Sequence, residues 1–345
     1  MRFLRGALEL LGPAAVVVAV GVVGSFTSRS NEIQFRNTLV FVAIVVALYV
    51  FVGNSGVLSF GHVSFVAVGA FASGIMTLPG DVKPGVLPDM YPLLRDHSIG
   101  NAEGLVLAAG LGGVYAFLVG MPLMRLSGLA AGIATFAVLG ITHNVIRYWT
   151  KIGPGAGTLS LVPETTDLLQ ATLGAVALMG IAYAYQRSRL GRMLRATRED
   201  PAAAQAAGIN VHRQRLWAFT LSGALSAFAG ALYVHLLGNI TTEQVYLELT
   251  FLSLAMLVIG GMGSLWGAVL GALLISGFSS FLTNAEDGVD FPFRLDLPTG
   301  TRLVVVGAFM AFVLILRPSG VTGGKELSLP SASSWRRWTS NSSNE

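Results

Sequence analysis

Long apolar runs separated by short polar segments dominate this chain. Ten runs are candidate membrane helices, with approximate bounds 7–24, 35–53, 56–78, 103–123, 128–148, 167–186, 216–238, 248–262, 265–283 and 299–316. Most reach the ~20 residues that a helix needs to cross the ~30 Å hydrocarbon core of a bilayer. The pattern predicts an all-α polytopic membrane protein with about ten transmembrane or re-entrant helices. A count of eight spans with two re-entrant segments keeps the same orientation and stays open.

The composition supports a lipid environment. Hydrophobic residues make up 53% of the chain and charged residues 12%, and the mean hydropathy is +0.67. Soluble domains carry about 25% charged residues, so this chain has too little polar surface to cover a globule. We therefore expect no soluble domain. Residues 1–320 are predicted to form one membrane domain, and the Ser- and Asn-rich residues 321–345 a disordered cytoplasmic tail.

Lys and Arg cluster in a few of the predicted loops and so indicate an orientation. The densest cluster lies in 187–215, and the positive-inside rule places such loops in the cytoplasm. Alternation of ten spans then puts both termini inside and the segments 79–102, 239–247 and 284–298 outside. The exceptions are Arg29, Arg36 and Lys151. We expect a multi-pass protein of the bacterial inner (cytoplasmic) membrane with both termini cytoplasmic.

The net charge of +4 does not indicate a nucleic-acid partner, because the positive charge is localised as membrane topology requires. Membrane lipid is the partner that the apolar spans predict. The first run follows Arg2 and Arg5, as in a signal peptide. Its end, Gly24-Ser25-Phe26, is not an A-x-A cleavage site, so we expect the run to remain as a span.

A short helix is predicted inside the basic loop. Asp200 is a good N-cap, and Pro201 suits the first helical position, where no N–H donor is needed. Gly208 can adopt the left-handed conformation that ends a helix. The small alanine face between them suits insertion into a groove on a partner. A simple connecting turn is the alternative.

Four stretches together carry a resemblance to a known family. The basic loop R-S-R-L-G-R-M-L-R-A-T-R-E-D-P-A-A-A-Q-A-A-G-I-N occupies 187–210, and L-S-F-G-H-V-S-F-V-A-V-G-A-F occupies 58–71. The other two are V-I-G-G-M-G-S-L-W-G-A-V-L-G at 258–271 and L-R-P-S-G at 316–320. This pattern resembles the LivM-type permease subunits of branched-chain amino acid ABC importers over most of residues 40–320. Residues 151–157, K-I-G-P-G-A-G, depart from the family's T-G-G-type loop and leave the substrate less certain.

The resemblance implies a transport subunit, not an enzyme, that works with other proteins. They are a second permease subunit, two ATP-binding cassette subunits and an external substrate-binding protein. It also implies that the short helix contacts an ATPase. The predicted coupling residues are Glu199, Asp200, Ala203, Ala204, Gly208 and Ile209. The chain lacks a G-x-x-x-x-G-K-[ST] phosphate loop, so we expect no cofactor here and ATP use by the partner subunits.

A second candidate feature interrupts the apolar sequence between the second and third runs. Two glycines and small polar residues predict a helix break whose free N–H groups face a substrate. The predicted translocation-path residues are Asn54, Ser55, Ser59, His62 and Ser64. Ser59 and His62 are three apart and are predicted to share one helical face. Plain helix–helix packing is the alternative.

Two other classes of function would require charged or catalytic side chains inside the predicted spans. A secondary, ion-coupled transporter normally carries a buried Asp or Glu, whereas Glu9, Glu103, Asp167 and Glu248 all lie at the ends of the predicted runs. A membrane-embedded enzyme needs paired acidic or His side chains within spans. No catalytic or metal-binding motif stands out, and cysteine is absent. The sequence favours an externally energised importer for branched-chain amino acids or similar small polar solutes.

Overall fold

The computed structural model describes residues 2–286, 301–317, 319–324 and 326, and these residues form a helical bundle. The helices are α1 (Arg2–Ser25), α2 (Arg29–Ser55), α3 (His62–Thr77), α4 (Lys83–Val86), α5 (Pro92–Arg95), α6 (Asn101–Leu123), α7 (Gly128–Tyr148), α8 (Leu168–Arg187), α9 (Arg189–Glu199), α10 (Pro201–Ala206), α11 (Val211–Leu237), α12 (Leu247–Gly260), α13 (Leu265–Glu286) and α14 (Thr301–Leu316). The predicted all-α class is confirmed, and each of the ten predicted runs corresponds to a helix.

Within the described residues, α2, α6, α7, α8 and α11 are long and apolar enough to cross a membrane. Among the other apolar helices, α3 and α12 are short. At 1.5 Å per residue, the 16 residues of α3 span about 24 Å and the 14 residues of α12 about 21 Å. These lengths fall short of the hydrocarbon core, so the eight-span alternative stays open beside the ten-span one.

Helix α2 is the central helix of the bundle. Its residues 39–55 are all buried, and α1, α8, α11, α12 and α13 pack around it. A helix that is apolar on every side belongs in such a position. The outer helices α6, α7 and α8 instead expose large apolar side chains, such as Val106, Leu129 and Leu169. This exposed apolar surface suits lipid contact.

Glycine brings α3 and α11 into direct backbone contact. A Cβ built on Gly69 would lie 2.0 Å from the carbonyl oxygen of Ala227, and one on Gly230 would lie 2.0 Å from that of Val66. Neither position has room for a side chain. Close approach through small residues is the usual way in which helices associate within a membrane.

Contacts at one end of the bundle join α9 to several helices, and we call this end the coupling end. Arg187, the last residue of α8, forms an ion pair of 2.5 Å with Glu9 of α1. Arg195 of α9 donates to Asn54, near the end of α2. The sequence predicts all of these positions on the cytoplasmic side, so the contacts agree with the predicted topology.

Another set of loops meets at the opposite end. Leu159, after α7, forms an antiparallel bridge with Ile240, after α11. Tyr91 donates its backbone N–H to the carbonyl of Lys151 at 3.2 Å, which ties the α3–α6 connection to the α7–α8 connection. The alternation of spans predicts these loops together on the outer side. Which end faces the cytoplasm stays a prediction.

The chain after α14 folds back onto the turn between α12 and α13. Val321 donates its N–H to Ile259 at 2.7 Å, and Thr322 donates its hydroxyl to Gly260 at 2.8 Å. Glu326 accepts the free N–H groups of Leu265 and Trp266 at the start of α13. Burial raises the pKa of the Glu326 carboxyl, against the opposing effect of these two donors.

We call residues 319–324 and 326 the strap. The sequence predicts a disordered tail from residue 321 onwards. This prediction is wrong for the residues of the strap that hydrogen-bond to α12 and α13. Their partners are backbone groups about sixty positions earlier, which composition does not reveal. The rest of the predicted tail, 327–345, lies outside the described residues, as does most of the predicted outer loop 284–298.

Candidate functional site

Helix α9 packs on the bundle rather than lying free on a membrane surface. The Ser188 hydroxyl accepts from the Gly191 N–H at 3.2 Å and caps the helix. Gly191, Leu194 and Thr197 are buried and, at spacings of three, share one face. That face contacts α2, α8 and α11. Arg195 and Arg198 of this helix make hydrogen bonds to α2, whereas Arg189 and Arg192 are exposed.

Arg195 is the centre of a buried polar network at the coupling end. Its guanidinium donates to Asn54 Oδ1 at 2.8 Å, to Gln186 Oε1 at 2.9 Å and to the Tyr49 hydroxyl oxygen at 3.2 Å. Tyr49 in turn donates to Gln186 at 2.7 Å. Polar groups buried at this depth are stable only when they are paired. The network thus links α2, α8 and α9 through side chains.

Asn54 belongs to this network. Its amide also donates to the carbonyl of Val50 at 2.9 Å, and the residue is fully buried. Its partners Arg195, Gln186 and Tyr49 were not predicted from the sequence. The available signal was a polar Gln and a Tyr within apolar runs, but their pairing joins helices that are far apart in the sequence.

Arg198 makes the second anchor between α9 and α2. It donates to the carbonyl of Gly53 at 2.6 Å, and its side chain crosses Gly56, whose φ is 71°. The predicted break between the second and third runs is confirmed here: α2 ends at Ser55, and α3 begins only at His62. The break and the basic loop, which were predicted as separate features, are in contact.

The short helix α10 has the predicted start and stop. The Asp200 carboxylate accepts from the N–H groups of Ala202 and Ala203 at 2.9 and 3.0 Å. Gly208 has φ 79°, and Ile209 donates back to the carbonyl of Ala204 at 3.0 Å. Glu199, the last residue of α9, precedes the cap. These contacts hold a compact turn of helix with fixed ends.

Most of this helix faces away from the rest of the chain. Glu199, Asp200, Ala203 and Gly208 are exposed, and Ile209 is half-buried. Ala204 is different, because only 5% of it is exposed. The sequence predicts Ala203 and Ala204 together on a partner-facing surface. For Ala204 this prediction is wrong, because α10 has an inner face that packs on its own chain.

The four other path residues lie in or beside the break, and each is largely occupied by contacts within the chain. His62 stacks among Phe51, Phe65 and Phe219, with ring centroids 5.2–5.6 Å away, and accepts or donates at 2.7 Å with Ser59. Ser59 precedes α3, so the two do not share a helical face as predicted. Their contact comes from the break itself.

Of the two remaining residues, Ser55 borders a cavity. Ser64 donates to the carbonyl of Gly61 and is fully buried. Ser55, Phe60, Leu129, Arg198 and Arg215 line a space of about 650 Å³ at the coupling end, next to Pro201. This cavity joins the helix break to α7, α11 and the start of α10. In the part of the chain that the structure describes, no three His, Asp or Glu side chains come together to hold a metal ion.

Comparison with known proteins gives a consistent result. The family model described as "Branched-chain amino acid transport system / permease component" matches residues 34–314. The high-affinity branched-chain amino acid transport system permease protein LivM of Escherichia coli is 25% identical over 318 residues, which cover 82% of this chain and 68% of the relative.

Other relatives carry different names. The probable branched-chain amino acid transport permease protein LivH of Methanocaldococcus jannaschii is 24% identical over 307 residues, 85% of this chain and 91% of the relative. The guanosine ABC transporter permease protein NupQ of Bacillus subtilis is 28% identical over 263 residues, which cover 71% of this chain and 80% of the relative. No solved structure matches the chain. The family match spans most of the sequence, so the chain belongs to the permease components of branched-chain amino acid transport systems and is a multi-pass membrane transport subunit, not an enzyme.

Proposed function

We propose that the chain is a permease subunit of an ATP-driven importer for branched-chain amino acids or similar small polar solutes. It forms the translocation path with a second permease in a bacterial inner membrane. Two ATP-binding cassette subunits supply the energy, and an external binding protein delivers the solute. The family and the names of the relatives support this assignment. The relative named for guanosine keeps the solute class wider than leucine, isoleucine and valine.

The exposed helix α10 is the observation that carries the proposal. An exposed helix with small side chains can enter a groove of a partner, as in other helix-in-groove contacts. Its base is α9, which Arg195 and Arg198 fix to the end of α2. A force applied to α10 would therefore reach the central helix through side chains already in contact. In this proposal, Glu199, Asp200, Ala203, Gly208 and Ile209 contact the ATPase or shape the contact, while Ala204 holds α10 to its own chain.

The helix break is the proposed inner part of the path. The cavity of about 650 Å³ lies between the break and the base of α10, so movement of α10 would change its shape. Ser55 borders this cavity directly. Asn54, Ser59, His62 and Ser64 support the walls through the contacts described above. The proposal assigns them to the gate of the path rather than to direct solute contact.

The test is ATP-driven leucine uptake by the reconstituted complex of this chain with its partner permease, ATPase subunits and binding protein. Ala203→Glu places a charge on the exposed face of α10 and should reduce uptake about tenfold or more, because a poor fit costing ~1.4 kcal/mol already weakens docking tenfold. The ATPase should also co-purify less. Expression and membrane abundance should not change, since Ala203 has no core role.

Ala102→Glu is the matched control. Ala102 is equally exposed, in the first turn of α6 at the opposite end, where a carboxylate is well tolerated. This variant should transport normally. Normal uptake by Ala203→Glu at equal abundance would exclude α10 as the coupling element. Failure of the unaltered complex to take up any amino acid would exclude amino acids as its solutes.

A further inference from the structure

A polar cavity lies at the end of the bundle opposite α10, away from every site described above. It has a volume of about 290 Å³ and lies between α2, α11, α12 and α13. Gln34 and Asn37, in the first turns of α2, and Thr283, near the end of α13, mark its rim. Cavities that bind small molecules begin at about 300 Å³, so this one has room for a small solute only. We call it the outer cavity.

One wall of the outer cavity carries hydroxyl groups. Ser276, Ser279, Ser280 and Thr283 lie three or four positions apart on α13, and so on one face. Ser276 is buried, and its hydroxyl lies 2.9 Å from that of Thr38 on α2. This pair closes the floor. Ser279 and Ser280 are half-buried, and among the described residues their hydroxyls have no hydrogen-bond partner, so they are available to a solute.

The other helices around the cavity contribute apolar side chains as well as Gln34, Asn37, Gln244 and Glu248. Phe41, Leu252 and Met256 line it, and Met256 is fully buried. Phe41 lies beside Tyr233, with ring centroids 6.1 Å apart. A cavity with hydroxyls on one side and aliphatic and aromatic groups on the other fits an amphipathic solute.

Glu248 is the one charged residue among the described lining residues. Neither an ion pair nor a hydrogen bond occupies its carboxylate within the described part of the chain. No Lys or Arg is among the described residues that line the cavity. A lone carboxylate here attracts a cationic group and repels an anion that lacks one. Serine hydroxyls and the amides of Asn37 and Gln34 can still donate to a carboxylate that arrives beside an ammonium.

From these walls we propose that the outer cavity binds one small zwitterion with a compact apolar side chain, an aliphatic α-amino acid. The ammonium faces Glu248, the carboxylate faces the hydroxyls of α13, and the side chain faces Phe41, Leu252 and Met256. The choice of an amino acid rests on the proposed function, whereas the need for an ammonium and an apolar body rests on the cavity alone. The cavity is an intramembrane subsite, separate from the external binding protein.

The absence of cysteine from the chain allows a direct test. Ser280→Cys introduces a single thiol into the outer cavity of the full chain in its complex. A membrane-impermeant maleimide labels it, and the labelling rate is measured with increasing leucine. Leucine should slow labelling several-fold. Isoamylamine, which keeps the ammonium and the apolar body, should also protect. 4-Methylpentanoate, which keeps the carboxylate and lacks the ammonium, should not.

A second variant tests the role assigned to Glu248. Glu248→Gln in the Ser280→Cys background should raise the leucine concentration for half-protection about tenfold, which corresponds to ~1.4 kcal/mol, because a hydrogen bond between charged groups is lost. Asp89→Cys, an exposed position at the same end, is the control and should label at one rate with or without leucine. An unfolding temperature equal to that of the Ser280→Cys chain shows that Glu248→Gln leaves the fold intact.

Three outcomes would overturn the proposal. Equal protection by leucine in the Ser280→Cys and Asp89→Cys chains would mean that leucine slows labelling without binding in the outer cavity. Protection by 4-methylpentanoate as strong as by isoamylamine would mean that Glu248 does not recognise the ammonium group. ATP-driven leucine uptake is measured in parallel. Leucine uptake without protection of the thiol would show that the outer cavity is not a subsite, and the proposed function would still hold. Protection without uptake of any amino acid would support the subsite and contradict the proposed import of amino acids.

Discussion

Arg195 connects three helices through one side chain. Its acceptors are Asn54 and Tyr49 on α2 and Gln186 on α8. A guanidinium presents several N–H donors in a fixed plane, so one group can serve all three, which a lysine ammonium cannot do with the same geometry. The residue therefore decides how firmly α9, and with it α10, is attached to the bundle.

Replacing this arginine should be costly. Arg195→Met keeps an apolar stem but leaves Asn54 Oδ1 and Gln186 Oε1 with fewer donors in a buried site. The unfolding free energy should fall by about 1–3 kcal/mol, the usual cost of unsatisfied buried polar groups. Leucine uptake should fall as well, because α10 loses its anchor. Thermal unfolding of the purified chain and uptake by the complex measure the two effects.

Arg192→Met is the control for this prediction. Arg192 is exposed on the same helix and makes no hydrogen bond among the described residues. Surface substitutions of this kind usually change stability by less than about 0.5 kcal/mol. Equal loss of stability in both variants would show that general basicity of α9, rather than the network of Arg195, holds the helix in place.

Single residues could be predicted from sequence where their partners are local. Asp200 caps α10 from two positions away, and Gly208 closes it with a positive φ, as their residue types indicate. Asn54 and Ala204 could not be placed, because burial and pairing depend on helices distant in sequence. A polar residue beside a helix break looks the same in the sequence whether it faces a solute or an arginine of the same protein.

Whole helices were more predictable than single contacts. Apolar runs of about 20 residues and the glycine-marked break between α2 and α3 follow from local pattern. The packing of α3 on α11 does not, since it depends on which glycine meets which carbonyl. Gly69 and Gly110 cannot be distinguished by sequence. Of the two, Gly69 alone lies against a neighbouring backbone, whereas nothing lies within 4 Å of a Cβ on Gly110.

This difference gives a prediction at the scale of helix packing. Gly69→Ala should force α3 and α11 apart, because the new methyl group would lie 2.0 Å from the Ala227 carbonyl oxygen. Overpacking of this kind typically costs about 1–3 kcal/mol. Gly110→Ala, within α6, should be neutral or slightly stabilising, since alanine is the better helix former. Unfolding temperature and monodispersity of the two purified variants measure the effect, and equal values would contradict the α3–α11 contact.

At the scale of the whole molecule, contacts sort the loops into two groups. The coupling end collects the break after α2, helices α9 and α10, and the strap. The opposite end collects the connections that follow α3, α7 and α11. Hydropathy and the alternation of spans predict this sorting, because both follow from the cost of moving charge and free backbone groups into lipid.

Labelling of single thiols tests the orientation. Gln205→Cys, on the exposed part of α10, should react only with reagents that reach the cytoplasm. Asp89→Cys should react with impermeant reagents added outside. The chain has no native cysteine, so each signal has one source. Labelling of the Gln205→Cys chain from outside in intact cells would invert the topology and would place α10 out of reach of any ATPase.

The strap also sets an order of events during synthesis. Glu326 caps α13 at Leu265, 61 positions earlier in the chain. At about 5–20 residues per second, a ribosome needs roughly 3–12 s to make the intervening segment. Throughout that interval the first N–H groups of α13 lack their carboxylate, and the turn after α12 lacks the hydrogen bonds of Val321 and Thr322. The turn between α12 and α13 and the start of α13 therefore reach their final form together, only after the ribosome has passed residue 326.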